Sequence, residues 1–226
     1  MNDNNVALTI QVDPETAVSA LLHAPADARA CYVFAHGAGA GMTHAFMAAV
    51  AAGLAARGIA TLRYQFPYME RGSKRPDTPA VAHAAVRAAV AEAAQRCMGL
   101  PLVAGGKSFG GRMTSLAQAA SPLPGVRGLV FFGFPLHTAG KPSIERATHL
   151  AKVECPMLFL QGTRDELAEV ELITGVTKEL GSRATLELVA DADHSFHVPA
   201  RTGRKDAEVL EGLLDVAAEW IGRLAS

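Results

Sequence analysis

Ser108 stands at the centre of Gly106-Lys107-Ser108-Phe109-Gly110, a G-x-S-x-G in which the flanking glycines let a strand and a helix pass closely around a sharply turned serine. A serine hydroxyl is a poor nucleophile at neutral pH, so an imidazole must take its proton and a carboxylate must orient that imidazole. Asp165, in Gln161-Gly162-Thr163-Arg164-Asp165-Glu166, and His194, in Asp191-Ala192-Asp193-His194-Ser195-Phe196-His197, supply those two groups. A carbonyl attacked by serine becomes an oxyanion, which fixed backbone N–H groups stabilise. The expected donors are Phe109, directly after the serine, and Ala38 in His36-Gly37-Ala38-Gly39-Ala40-Gly41.

Each role has rivals. His36, His44, His137 and His197 also fall on or near loops, and His197 is the nearest rival to His194. Glu166, Asp191 and Asp193 compete with Asp165, although aspartates in such loops often only cap or turn the chain. Asp191, Asp193, His194 and His197 together resemble a metal cluster, but no second ligand motif supports one, and neither metal nor cofactor is expected. Gly-Lys-Ser after a strand also resembles the end of a phosphate-binding G-x-x-x-x-G-K-[ST] loop. The register refutes it: the first glycine of that loop would fall on Pro101, and a strand occupies the space where the loop must bulge.

These residues need a scaffold that brings several loops to one edge. Two alternating runs, Val6 to Val12 and Val18 to Ala24, flank a turn-rich spacer and read as an antiparallel hairpin. Short continuous apolar runs follow at Cys31 to Ala35, Ile59 to Tyr64, Leu102 to Gly105, Gly128 to Phe132, Met157 to Gln161 and Thr185 to Val189, the pattern of strands buried on both faces of a parallel sheet. Helical stretches lie between and after them at His44 to Arg57, Thr78 to Cys97, Phe109 to Ala120, Val170 to Leu180 and Asp206 to Leu224. The alternation predicts an α/β fold: a mostly parallel central sheet with helices on both faces. Ligands of such sheets gather at the carboxyl ends of the strands, where all the candidate residues fall. In those loops His36, Phe66, Tyr68, Phe134 and His137 are expected to line the pocket. Glu70, Arg71, Lys74 and Arg75 form a charge cluster that suits an acidic substrate, though such a cluster is more often only solvated. The segment from Gly133 to Pro156 is too short for a core of its own, so no cap domain and an open site are expected.

Composition narrows the classes further. At 226 residues, 50% hydrophobic and 19% charged, the chain suits a single folded domain with a sizeable core and excludes a disordered one. A formal net charge of −1 with scattered basic residues leaves no stripe for a nucleic acid. The run from Ala45 to Ala56 is well short of the ~20 residues that span a bilayer, so no membrane partner is expected. Met1-Asn2-Asp3-Asn4-Asn5 lacks the charged and apolar regions of a secretory leader, and a cytoplasmic protein is expected. Cys31, Cys97 and Cys155 form no metal or disulfide pattern and read as small core residues.

The chain order Ser108, Asp165, His194 is that of the α/β-hydrolases. With these parts in place the chain resembles a small serine α/β-hydrolase. More narrowly, it is similar to lidless bacterial hydrolases described as dienelactone-hydrolase-like, which are related to the hydrolase-fold subunit of the non-specific lethal complex. The likeness covers nearly the whole length. It rests on the segments His36 to Met42, Arg63 to Tyr68, Gly105 to Arg112, Pro135 to His137 with Gly140 to Pro142, Gln161 to Asp165, and Asp193 to Phe196. True dienelactone hydrolases use cysteine where this chain has Ser108, so lactone specificity does not carry over. The resemblance implies an α/β-hydrolase fold and carboxylesterase-like cleavage of a small ester through an acyl-enzyme, with thioesters and peptides as other acyl substrates. Some relatives act as scaffolds, but a protein that has retired its chemistry usually loses a triad member, and here all three positions are filled.

Overall fold

The computed structural model describes residues 5–225, so residues 1–4 of the stretch read for a leader lie outside it. The chain opens with the expected hairpin, of β1 (Asn5–Asp13) and β2 (Thr16–His23); Val18, Ala20 and Leu22 are buried on one face of β2, whereas Val6 at the start of β1 is exposed and Ala24 lies past the end of β2. Next come β3 (Ala30–Ala35), helix α1 (Ala45–Ala55), β4 (Ile59–Tyr64), the single turn α2 (Pro67–Glu70), and α3 (Pro79–Arg96). The second half holds β5 (Leu102–Lys107), α4 (Phe109–Ala120), β6 (Val126–Phe132), a 3-10 segment (Glu145–Lys152), β7 (Met157–Gly162), α5 (Val170–Leu180), β8 (Ala184–Val189) and α6 (Asp206–Ala225). Neither α2 nor the 3-10 segment has a counterpart among the runs expected from the sequence. Both are short, and Pro67 at the first helical position starts α2 where no periodic pattern has room to develop.

The eight strands form one sheet in the order β1-β2-β4-β3-β5-β6-β7-β8. The β1–β2 and β2–β4 pairs are antiparallel and the other five are parallel. Strands β3, β4 and β7 are buried along their whole length, which explains why they read as unbroken apolar runs. One core lies between the sheet and α3, α4 and α5, and includes Ala85, Ala89, Met113, Ala117, Ile173 and Phe131. The other lies under α1 and α6 and includes Val50, Leu54, Leu214, Trp220, Phe34 and Phe132. Among the described residues the link from β6 to β7 carries only the 3-10 segment, so no cap domain sits over the sheet end. No described helix is long and apolar enough to cross a membrane.

Cys31 and Cys97 are buried in the first core, and Cys155 packs at its margin. Helix α6 closes the opposite face. Its Leu214 reaches α1 at Gly53, where an added Cβ would come within 2.3 Å of the Leu214 Cδ1. Arg57, just past α1, fastens the same contact through Glu211 and Asp215, each at 2.7 Å. Leu214→Ala is therefore expected to lower the unfolding free energy by about 2–5 kcal/mol. Urea denaturation followed through Trp220, the only tryptophan, reads this directly. A loss under about 1 kcal/mol would show that α6 settles into the gap.

Candidate active site

Lys107 ends β5 and Phe109 begins α4, leaving Ser108 alone to turn the chain. Its backbone takes φ 49° and ψ −116°, a left-handed conformation that costs a non-glycine residue of order 1–3 kcal/mol and persists only where the surroundings impose it. They do so here. A Cβ on Gly106 would lie 2.4 Å from the Ala35 carbonyl oxygen, and one on Gly110 2.5 Å from the carbonyl oxygens of Ala35 and His36. Both glycines of the motif thus let α4 and β5 press against the end of β3. The Ser108 N–H donates to the Phe132 carbonyl at 3.1 Å, which pins the turn to β6.

Asp165 and His194 arrive from loops after β7 and β8. His194 Nδ1 lies 2.7 Å from Asp165 Oδ2 and His194 Nε2 lies 2.9 Å from Ser108 Oγ. An acid acceptor on one side assigns the proton to Nδ1, which leaves Nε2 free to accept from the serine. Asp165 is buried, and both its oxygens are occupied: Gln161 Nε2 donates to Oδ2 at 2.5 Å and the Leu167 N–H to Oδ1 at 2.8 Å. Gln161 Oε1 in turn accepts the Phe134 N–H at 2.9 Å. The acid and histidine loops are laced together, with the Arg164 N–H donating to the Ala192 carbonyl at 2.8 Å and the Asp191 N–H to Thr163 Oγ1 at 2.9 Å. A Cβ on Gly162 would meet the Ala192 oxygen at 2.3 Å, so only glycine lets the two loops approach.

The competing residues have other work. Asp193 Oδ1 accepts the N–H groups of Ser195 and His197, building the turn that carries His194. His197 is exposed and pairs with Asp206 at 2.8 Å, which raises its pKa and lowers that of the aspartate. Glu166 is exposed, and Asp191 faces Arg201 at 3.7 Å. No group of three or more His, Cys, Asp or Glu among the described residues is arranged to hold a metal.

A cavity of about 410 Å³ opens over Ser108 and His194, walled by Ala38, Ala40, His44, Phe46, Met47 and Leu167. The five residues expected to line it do not. His36, Phe66, Tyr68, Phe134 and His137 are all buried and absent from the cavity wall. The correction has a physical reason: sequence places a residue in a loop but does not say whether its side chain turns outward or back into the packing. His36 turns back, with Nε2 accepting the Phe66 N–H at 3.0 Å and Nδ1 donating to the Gly37 carbonyl at 2.8 Å. Burial holds its pKa down to about 4, so it works as a neutral strut. The Tyr68 hydroxyl accepts the Gly39 N–H at 3.1 Å, and the rings of Phe66 and Tyr68 pack against Phe109. These three therefore shape the loop that carries Ala38. Phe134 packs against Phe131 and Phe159, and the buried His137 ring lies against the Glu169 carboxylate. In the suggested acidic-substrate cluster, Glu70 is bonded to Ser19 and Arg71 to Asp77.

With this strained serine between strand and helix and its bonds to His194 and a buried acid in place, the family of the alpha/beta hydrolase domain matches residues 28–222. This chain belongs to that family. Solved structures similar to this hydrolase include a dienelactone hydrolase from Anabaena variabilis, with a TM-score of 0.78, 21% identity and 97% of each chain covered. A serine hydrolase without a lid from Xanthomonas campestris matches with a TM-score of 0.72 and 21% identity over 97% of this chain and 95% of that one. An esterase domain from Rhodothermus marinus matches with a TM-score of 0.75 and 14% identity over 99% of this chain and 100% of that one. At these identities the likeness is one of fold.

Two residues at the site carry no signal of their role in the sequence. Gln161 is a polar residue closing an apolar strand, a signal that was visible but has no meaning until the acid beside it is known. Lys107 reads in the sequence only as part of the phosphate-loop look-alike. In the hydrolase its Nζ donates to the His194 carbonyl at 2.6 Å and lies 5.4 Å from the centre of the Phe196 ring and 6.0 Å from that of Phe46. Burial lowers its pKa to about 8, against the opposing pull of Asp165 and Asp193. A lysine with a depressed folded pKa opposes folding while it is charged, and that penalty disappears as the folded form loses its proton. Between about pH 8 and its ordinary value of 10.5 the wild type should therefore gain thermal stability relative to Lys107→Met. At pH 7 the variant should match or exceed the wild type in Tm while losing turnover, because His194 loses its anchor. A Tm difference that does not change over this range would contradict the lysine's buried charge.

Proposed function

We propose that this protein is a serine hydrolase of small carboxylic esters, with Ser108 as nucleophile, His194 as general base and acid, and Asp165 as the group that orients and stabilises the imidazolium. The observation that carries the reading is the unbroken pair of hydrogen bonds from Asp165 Oδ2 through both ring nitrogens of His194 to Ser108 Oγ. Ser108 Oγ attacks the ester carbonyl carbon as His194 Nε2 takes its proton, and the carbonyl electron pair moves onto oxygen. Collapse of that intermediate expels the alcohol, which leaves with the proton from His194. Water then repeats the sequence on the acyl-enzyme, releasing the acid and restoring Ser108.

The oxyanion is assigned to the N–H groups of Phe109 and Ala38. Neither has a hydrogen-bond acceptor among the described residues, and Ala38 borders the same cavity as Ser108. A Cβ built on the intervening Gly37 would lie 3.8 Å from the Ser108 Cβ, which places this loop beside the nucleophile. His36 and Tyr68 hold the loop in place. Acylation requires a donor pair that does not reorganise as charge develops, and such bracing supplies it.

Phe46, Met47 and Leu167 make the acyl side apolar, and no cap among the described residues roofs it. The reading extends to the chain as one hydrolase domain acting in the cytoplasm on a small molecule. Kinship with the hydrolase-fold subunit of the non-specific lethal complex would add a binding role. A scaffold, however, has no need of a serine held in a strained conformation against a base.

A series of p-nitrophenyl esters tests the function. Each methylene buried against Phe46, Met47 and Leu167 contributes about 0.8 kcal/mol, so kcat/KM should rise over the shortest acyl chains and then flatten, and Ser108→Ala should lose several powers of ten with an unchanged circular-dichroism spectrum. Near-normal turnover in Ser108→Ala would remove the mechanism. A rise continuing through long chains, or activation by micelles, would show that the loop from Pro135 to Pro142 acts as a lid.

A further inference from the structure

Arg112 leaves α4 one turn beyond Ser108, whose carbonyl accepts its N–H at 3.1 Å. Its guanidinium is half-buried and has neither a hydrogen-bond acceptor nor an ion-pair partner among the described residues, and its Nε is shielded from solvent. A guanidinium carries five N–H donors, and leaving a buried one unpaired is costly. The groups around it deepen the problem, because they are basic. Burial and the nearby Arg146 lower the Arg112 pKa from its ordinary value. His149, 2.7 Å from Ser115 Oγ, is pushed down to about 4 by burial, by Arg112 and by His83. His83 has a buried Nε2 with no partner, and burial followed by Arg87 lowers its pKa.

Three elements contribute to this cluster. His83 and Arg87 project from α3, Arg112 from α4, and Arg146 and His149 from the 3-10 segment. None of the five is ion-paired to a carboxylate among the described residues. Arg87 uses its Nη2 on the carbonyls of Ala117 and Ser121, and Arg146 its Nη1 on that of His137. Arg112 alone among the arginines here keeps its whole planar fork uncommitted. That fork matches the two oxygens of a carboxylate or phosphate.

We propose that Arg112, with Arg146 and His149 beside it and His83 beside His149, forms a binding site for a small oxyanion, a carboxylate or phosphate group, at the junction of α3, α4 and the 3-10 segment. None of the four borders the cavity over Ser108, so the proposal stands apart from the hydrolase chemistry. The bound anion offsets the repulsion between Arg112 and Arg146 and accepts from the terminal nitrogens of the Arg112 fork.

Isothermal titration of the wild-type protein with inorganic phosphate and, separately, with succinate tests the site and distinguishes its two sources of oxyanion. Saturable binding of either is expected, and the tighter arm identifies the ligand as phosphoryl or carboxylic. Arg112→Gln should weaken that binding by at least about tenfold, and Arg112→Lys, which keeps the charge but loses the fork, should fall between the two. In buffer without oxyanions, Arg112→Gln should melt at or above the wild-type temperature, because a like charge has been removed from the cluster. Absence of saturable binding in both arms, or equal binding by Arg112→Gln, would overturn the site. A clear drop in Tm for both Arg112→Gln and Arg112→Lys in that buffer would do the same, by showing that the guanidinium serves the fold.

Discussion

The turn at Ser108 constrains everything around it. A serine at φ 49° holds its conformation only because β5 and α4 are pressed together against β3, with the backbone oxygens of Ala35 and His36 filling the space where side chains at 106 and 110 would stand. The sheet order makes this possible, since β5 sits centrally with β3 on one side and β6 on the other. Folding energy from the two cores is thus used to hold one residue in an unfavourable state, which exposes its hydroxyl at the strand end.

The same logic governs the partners of Ser108. Asp165 sits in a loop whose carboxylate receives donors from Gln161, Leu167 and His194, so a buried charge is satisfied on both oxygens. His194 is held through its ring by Asp165 and through its carbonyl by Lys107. Asp191 and Phe196, on either side of it, have φ of 60° and 65°, so the histidine loop is itself strained and tied down by neighbours. The price of this precision is a set of groups that would be more comfortable in water, above all the Lys107 ammonium.

Much of this was legible in the residues because it is local. The G-x-S-x-G corner, the apolar runs of β3, β4 and β7, and the identical bounds of α4 and α5 follow from spacing and periodicity alone. Ser108, Asp165 and His194 could be chosen by chain order and loop position, and the structure brings these three together. The pocket wall was not legible. His36, Phe66, Tyr68, Phe134 and His137 lie in the expected loops, yet their side chains point inward, whereas Phe46 and Met47 on α1 reach the cavity from an element that reads as plain core helix. Side-chain direction depends on how helices and loops pack, and no single segment encodes it. Lys107 and Gln161 were hidden for a related reason, since each acquires a role only from a residue far away in the chain.

The most direct test is the rate at which a fluorophosphonate labels the protein near neutral pH, with the labelled residue located by peptide mass spectrometry. The account predicts a single modification at Ser108, slowed by about two or more powers of ten in Asp165→Asn and little changed in Asp193→Asn. No labelling of Ser108, or a label rate that Asp193→Asn lowers more than Asp165→Asn does, would contradict the proposed relay.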